Sequence, residues 1–190
     1  TCNQVDDDCD GYVDESPCAP CLDDNLCPTL SWYTLSGGDY LMGGEGVDQQ
    51  PIHPVRLEPF QLSDEITVGQ YDRCVSAGVC SPAGQGGDCN TGKLDRADHP
   101  INCISWLQAH TFVYWVGGRL PSESQWEYAA RGAGLNAVTP WGGDIVSCEY
   151  ALLRDDSGYA CGLYETLPVR SPQTAAGVSP QGLSDLLGNV

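Results

Sequence analysis

Three stretches of this chain set apolar residues at helical spacing directly behind a hydroxyl residue and a glutamine. Thr67-Val-Gly-Gln70 leads into Tyr71, Cys74 and Val75, which share one face by the i, i+3, i+4 rule, and Gly78 follows as a stop. Ser105-Trp-Leu-Gln108 leads into a second set, with Ala109, Phe112, Val113 and Val116 inward and Gly117 and Gly118 after it. Ser122-Glu-Ser-Gln125 behind Pro121 opens a third, whose Trp126, Ala129 and Ala130 make a face of mostly small residues before Gly132. In each, the hydroxyl is placed to accept from an orphan backbone amide while the glutamine three positions on reaches back to the cap amide. The pattern predicts three short helices.

Elsewhere the periodicity is near two or absent. Trp32 to Met42 reads as a hairpin turning at Ser36-Gly-Gly38, and Val55 to Leu62 alternates as a strand that Pro59 makes an edge or a bulge. Beyond Gly132, turn residues, Trp141-Gly-Gly143 and two further cysteines predict a long irregular region held by cross-links. The expected class is α+β, irregular and loop-rich, with few short helices and disulfide staples.

Composition sharpens this picture. The 190 residues carry 8 Lys and Arg against 26 Asp and Glu, so 8 − 26 = −18, a charge that repels nucleic-acid phosphates and anionic headgroups. No apolar run approaches the length of a membrane-spanning helix. Eleven cysteines beside one methionine and two phenylalanines fit a secreted or cell-envelope protein, periplasmic or extracellular, and the odd count leaves at least one thiol free or paired elsewhere. The chain begins at Thr1 without a leader, so a signal peptide is expected upstream. Residues 1–27 hold eight acids, no Lys or Arg and five cysteines, which sets an expected boundary near Pro28 between a small metal-binding segment and a main domain over 28–190.

In that acidic segment, Asp6, Asp8, Asp10, Tyr12, Asp14 and Glu15 set oxygens at every second position around Gly11, the layout with which a loop wraps Ca²⁺ in six to eight oxygens. Pro17 stands where an EF-hand has its bidentate Glu, so the loop resembles the shorter aspartate-rich calcium repeats of exported bacterial proteins. A solvated acidic tail is the alternative. Cys18-Ala-Pro-Cys21 has spacing that also serves zinc or redox chemistry, but its neighbours Cys2, Cys9 and Cys27 suit disulfides better. His53, His99 and His110 read as surface or capping histidines, and the five tryptophans as core.

Seven motifs occur in order: Gly37-Gly-Asp-Tyr-Leu-Met-Gly43, Pro51-Ile-His-Pro-Val-Arg56, Ile66-Thr-Val-Gly-Gln-Tyr71, His99-Pro-Ile-Asn102 with Ser105-Trp106, Gly118-Arg-Leu-Pro-Ser-Glu-Ser-Gln-Trp-Glu-Tyr-Ala-Ala-Arg-Gly132, Pro140-Trp-Gly142 and Gly182-Leu-Ser-Asp-Leu-Leu-Gly-Asn-Val190. Together they resemble the formylglycine-generating enzyme, or sulfatase-modifying factor, family over roughly residues 30–190. The resemblance implies a C-type-lectin-like fold and, for a complete parent, oxidation of a cysteine in a sulfatase-like polypeptide to formylglycine by copper(I) held between two cysteines. That pair belongs to a region C-terminal to Val190, so the resemblance implies no catalytic residue in this chain, copper only where the following region supplies the pair, and a chain inactive by itself.

The resemblance also implies a calcium site with a side-chain oxygen from Asp185 and carbonyls from Gly188 and Val190. At the family's other calcium site Leu152 and Cys161 occupy ligand positions, which implies its loss and suggests a Cys148–Cys161 disulfide as its replacement. Cys74, Cys80, Cys89 and Cys103 are expected to form two bridges around the first helix and the loop from Ser81 to Asp88. The alternative to an enzyme is a non-catalytic binding or structural module at the cell surface, its partner a protein or glycan.

Overall fold

The computed structural model describes residues 21, 27–153, 161–163 and 165–189. Among them are four strands, β1 (Trp32–Leu35), β2 (Gly38–Met42), β3 (His53–Leu57) and β4 (Phe60–Ser63). Three α-helices follow, α1 (Val68–Ser76), α2 (Trp106–Trp115) and α3 (Glu123–Ala130), and the 3₁₀ turns span Val47–Gln49 and Pro172–Gly177. The mixed, loop-rich class is the one expected.

The chain divides into two units, one of residues 1–29 with 66–120 and one of 30–65 with 121–190. In the first, both bonds of the capping boxes that open α1 and α2 are local. Thr67 and Ser105 accept from the amides of Gln70 and Gln108, whose side-chain oxygens accept from the cap amides. Gln108 also donates to the Ser81 hydroxyl and the Pro82 carbonyl, tethering the loop after α1 to the cap of α2. Inside lie Tyr71, Cys74, Cys80, Ala83, Phe112 and Trp115. The Tyr71 and Phe112 rings stack at 5.7 Å, and the buried Tyr71 hydroxyl donates to the Ser81 carbonyl. Disulfides Cys74–Cys80 and Cys89–Cys103 supply the two expected bridges. Cys21 pairs with Cys27, as the disulfide reading of the Cys-rich segment anticipates, and its amide donates to the Trp115 carbonyl.

In the second unit the expected hairpin is not formed. β1 pairs antiparallel with β4 and β2 with β3, each in its own two-stranded sheet, so the segment 32–42 runs against 53–63 rather than folding on itself. The reason lies at the break. Pro59 has no amide to donate to a ladder, and Gly37 at φ +68° approaches the Leu57 carbonyl so closely that a Cβ would sit 2.3 Å from it. Ser36-Gly-Gly38 therefore interrupts the pairing instead of reversing the chain. The Gly37 carbonyl freed there accepts from the Tyr128 hydroxyl of α3 at 2.7 Å.

α3 carries the same capping box on Ser122 and Gln125 and ends at Gly132, which takes φ +75°. Its buried face is Tyr128 and Ala129, packed with Leu35, Tyr40 and Leu183, and the Tyr40 and Tyr128 rings meet edge to face at 5.3 Å. Trp126, expected inward, is half exposed, because it lies two residues, about 200°, round the helix from the buried Tyr128. Trp32 and Trp106 are likewise exposed and only Trp115 of the five is buried. Beyond α3 the described chain has no further strand or α-helix, and Cys148–Cys161 closes as a disulfide.

Candidate functional site

The calcium loop proposed for Asp6, Asp8, Asp10, Tyr12, Asp14 and Glu15 lies outside the described residues, as does Val190. Asp185 and Gly188 are described, and Asp185 belongs to a polar cluster of the second unit with Tyr33, Asp64, Glu65, Arg170 and Asn189.

β4 ends at Ser63, and the next two residues are Asp64 and Glu65, the one adjacent acid pair between residues 28 and 153. Opposite them the irregular C-terminal chain brings Arg170, Asp185 and Asn189. Arg170 Nη1 donates to both Asp64 oxygens at 3.1 Å and to the Gly182 carbonyl at 3.0 Å, and it also donates to the Tyr33 hydroxyl, while its guanidinium lies over the Tyr33 ring. Tyr33 in turn donates to Asp64 at 3.0 Å. Asp185 takes φ +56° and accepts from the Arg170 backbone amide at 2.8 Å and from the Thr174 hydroxyl. Asn189 is buried. Its amide nitrogen donates to Glu65 at 3.0 Å and its side-chain oxygen accepts from the Leu167 amide at 2.8 Å.

The electrostatics follow from burial and from the placing of these acids: the Arg170 guanidinium pairs with Asp64, while Glu65 is bonded by Asn189 and feels the charge of Asp185. Burial, and then the charge of Asp185, push Glu65 from 4.5 up to about 8; the Asn189 hydrogen bond opposes this and Asp64 adds to it. Burial raises Asp185 as well, against the hydrogen bond from the Arg170 amide. The Tyr33 phenol is raised by burial and by Asp64. The cluster thus favours the neutral form of Glu65 and holds more acidic than basic groups.

Calcium requires six to eight oxygens. Asp185 already accepts from Arg170 and Thr174, Asp64 is held by Arg170, and among the described residues no three His, Cys, Asp or Glu side chains converge as a metal site. Gly188 has a second reason for its identity: at φ +90° its Cα packs on the Leu152 carbonyl, where a Cβ would sit 2.3 Å away, and the next amide, of Asn189, donates to that same carbonyl. Leu152, at the position implied for a lost calcium ligand, is buried.

The remaining candidates sort plainly. His99 is buried rather than at the surface, with Arg96 Nη1 donating toward its Nδ1 at 3.0 Å. His110 sits between the rings of Trp106 and Tyr114 along α2. All eight described cysteines are in disulfides. Sequence signals for the missed residues were weak but present: an acid pair where a strand ends, and Asn189 within the last motif. Arg170 carried none, because only tertiary packing sets it on Asp64.

Residues 26–190 match the profile of the sulfatase-modifying factor enzyme 1-like domain. A formylglycine-generating enzyme of Thermomonospora curvata is 32% identical over 107 residues, covering 50% of this chain and 33% of that protein. An inactive C-alpha-formylglycine-generating enzyme 2 of Bos taurus is 41% identical over 61 residues, covering 32% of this chain and 19% of that protein. This chain thus spans a third or less of the length of these curated relatives. Among solved structures, Treponema denticola variable protein 1 superposes with a TM-score of 0.59 at 19% identity, covering 85% of this chain and 70% of that one, which is a likeness of fold. With residues 26–190 matched, a range that takes in the strands, the helices and the Asp185 loop, the chain belongs to the sulfatase-modifying factor enzyme 1-like domain family.

Proposed function

We propose that this chain is the disulfide-stapled frame of a sulfatase-modifying factor domain in an exported bacterial protein, whose parent oxidises a cysteine of a sulfatase-like polypeptide to formylglycine. The family match over residues 26–190 carries this reading. The chain's own part is structural: with all eight described cysteines cross-linked, none of these supplies a thiolate for copper(I), and the soft ligands the family chemistry needs come from cysteines other than these. Four disulfides also support export to an oxidising compartment. The described residues contain no helix long and apolar enough to cross a membrane.

The test is conversion of a cysteine-containing sulfatase peptide by the full parent with copper and oxygen, read by mass spectrometry and by trapping of the aldehyde. Conversion by the parent and none by this chain alone is the expected result. No conversion by copper-loaded parent favours the second reading, a non-catalytic binding or structural module, for which a curated relative named as inactive is the supporting observation.

Calcium is proposed at Asp6, Asp8, Asp10, Tyr12, Asp14 and Glu15 in a separate acidic appendage over residues 1–27, and at Asp185, Gly188 and Val190. The acid excess around Asp185 supports a cation there in charge, though the described side chains do not by themselves complete a coordination shell. Titration with millimolar Ca²⁺ is expected to release heat and raise Tm, with Asp8→Asn and Asp10→Asn abolishing the appendage component. Absence of both signals overturns the assignment.

A further inference from the structure

Within the second unit, apolar and polar residues are inverted on one stretch of surface. The loop after α3 buries Thr139 and Pro140 completely while turning Leu135, Val138 and Ile145 outward, Val138 to 77% exposure and Ile145 to 65%. This is not a loop free to fold its aliphatic groups away. Thr139 donates to the Gly143 carbonyl, the Trp141 ring nitrogen donates to the Ile145 carbonyl at 3.1 Å, and Trp141 packs against Tyr150 at 5.0 Å.

The same face gathers a second segment. Arg131 Nη1 donates to the carbonyls of Leu41 and Gly43 at 2.8 and 2.9 Å and pairs with Glu127, its Nε reaches the Ala137 carbonyl, and the Leu41 amide donates to Asn136. One guanidinium thereby sews the end of β2 to the 135–145 loop. Around that pin stand exposed Leu41 and Ile52, with Val47 at 90% exposure on the turn between them. Six large aliphatic side chains stand exposed on two segments that Arg131 and the Leu41–Asn136 bond hold side by side, an accumulation of apolar surface of the kind that marks a docking site.

Its rim determines what fits. Segments 41–52 and 135–149 hold Glu45, Asp48, Asp144 and Glu149, all exposed, against no Lys or Arg, so 0 − 4 = −4. Arg131 is spent on its internal bonds. We propose that this face docks a polypeptide segment whose aliphatic side chains are flanked by Lys or Arg. A second copy of the chain is disfavoured because it would bring the same acidic rim on a molecule of net charge −18. The inference rests on the geometry of this unit and not on the catalytic reading, so it stands or falls separately from formylglycine formation.

The experiment uses three labelled synthetic peptides of equal length, an amphipathic Leu/Lys sequence, a Leu/Glu counterpart and a Ser/Lys counterpart, with binding to the whole chain read by fluorescence anisotropy. The Leu/Lys peptide is expected to bind about tenfold or more tightly than either counterpart. Val138→Ser with Ile145→Ser, both at exposed positions, should weaken it by about tenfold, while Leu94→Ser, equally exposed in the other unit, should leave it unchanged. Asp48→Asn with Asp144→Asn should flatten its salt dependence. Equal affinity for the Ser/Lys or Leu/Glu peptide, or no effect of the paired serine variant at unchanged Tm, overturns the proposal. So does a dimer by light scattering that the paired serine variant dissociates.

Discussion

Glu65 shows how a single residue sets a pH dependence. In the unfolded chain its carboxyl ionises above about 4.5, whereas in the fold it stays protonated up to about 8, because burial and Asp185 disfavour the charge. The stabilisation from the neutral acid is therefore fully present below 4.5 and is lost as pH rises toward 8, a difference on the order of 5 kcal/mol at the upper end. In chelator-containing buffer, Tm is expected to fall across that window, and Glu65→Gln, which keeps an acceptor for Asn189, should flatten the fall. A wild-type profile with no slope between these values would show that Glu65 is ionised in the fold. Gly188 allows a second test at this scale. Because its Cα abuts the Leu152 carbonyl, Gly188→Ala should cost about 2 kcal/mol or more with or without calcium. A loss seen only in calcium would assign the glycine to metal binding instead.

The helices are decided by their first turns. Removing a capping hydroxyl by Ser122→Ala should cost about 1 kcal/mol of stability. The glutamines separate local from tertiary roles: Gln125→Ala loses the reciprocal bond to the Ser122 amide, while Gln108→Ala loses that bond at Ser105 together with the tether to Ser81 and Pro82. Urea denaturation is expected to rank Gln108→Ala as the more damaging, and equal losses would deny the tether a role. The same scale holds the Cys89–Cys103 clasp, which spans 14 residues in sequence and reaches the loop that Gln108 anchors. Its removal by paired Ser substitutions should cost about 3 kcal/mol.

For the whole molecule, the −18 charge is the dominant global fact. Self-repulsion on that scale destabilises the folded state, so Tm should rise when sodium chloride is taken from low to physiological concentration, and a flat response would mean the acids are locally neutralised. The two units differ in how they meet the demand for stability. The first places the Cys74–Cys80 bridge inside its core beside Tyr71 and Phe112, and the second relies on Leu35, Tyr40, Tyr128 and Leu183 with an arginine pin at one edge and the Asp64 cluster at another.

What could be read from the residues alone was whatever depends on near neighbours or on chemistry carried by a pattern. The three capping boxes, the apolar spacing behind them, the disulfide class, the absence of a membrane-spanning run and the family motifs all belong here, since a helix cap is closed by residues three apart. The tertiary structure decided what depends on partners far along the chain. It paired β1 with β4 and β2 with β3, because Pro59 and Gly37 break the ladder at a point that only pairing reveals. It turned Tyr128 inward and Trp126 outward. It also set Arg170 on Asp64 across 106 residues and Asn189 on Glu65 across 124, which no local rule anticipates. Local hydrogen bonds are satisfied within a few residues and so leave a sequence signature; buried charges are settled by whichever group the fold brings near.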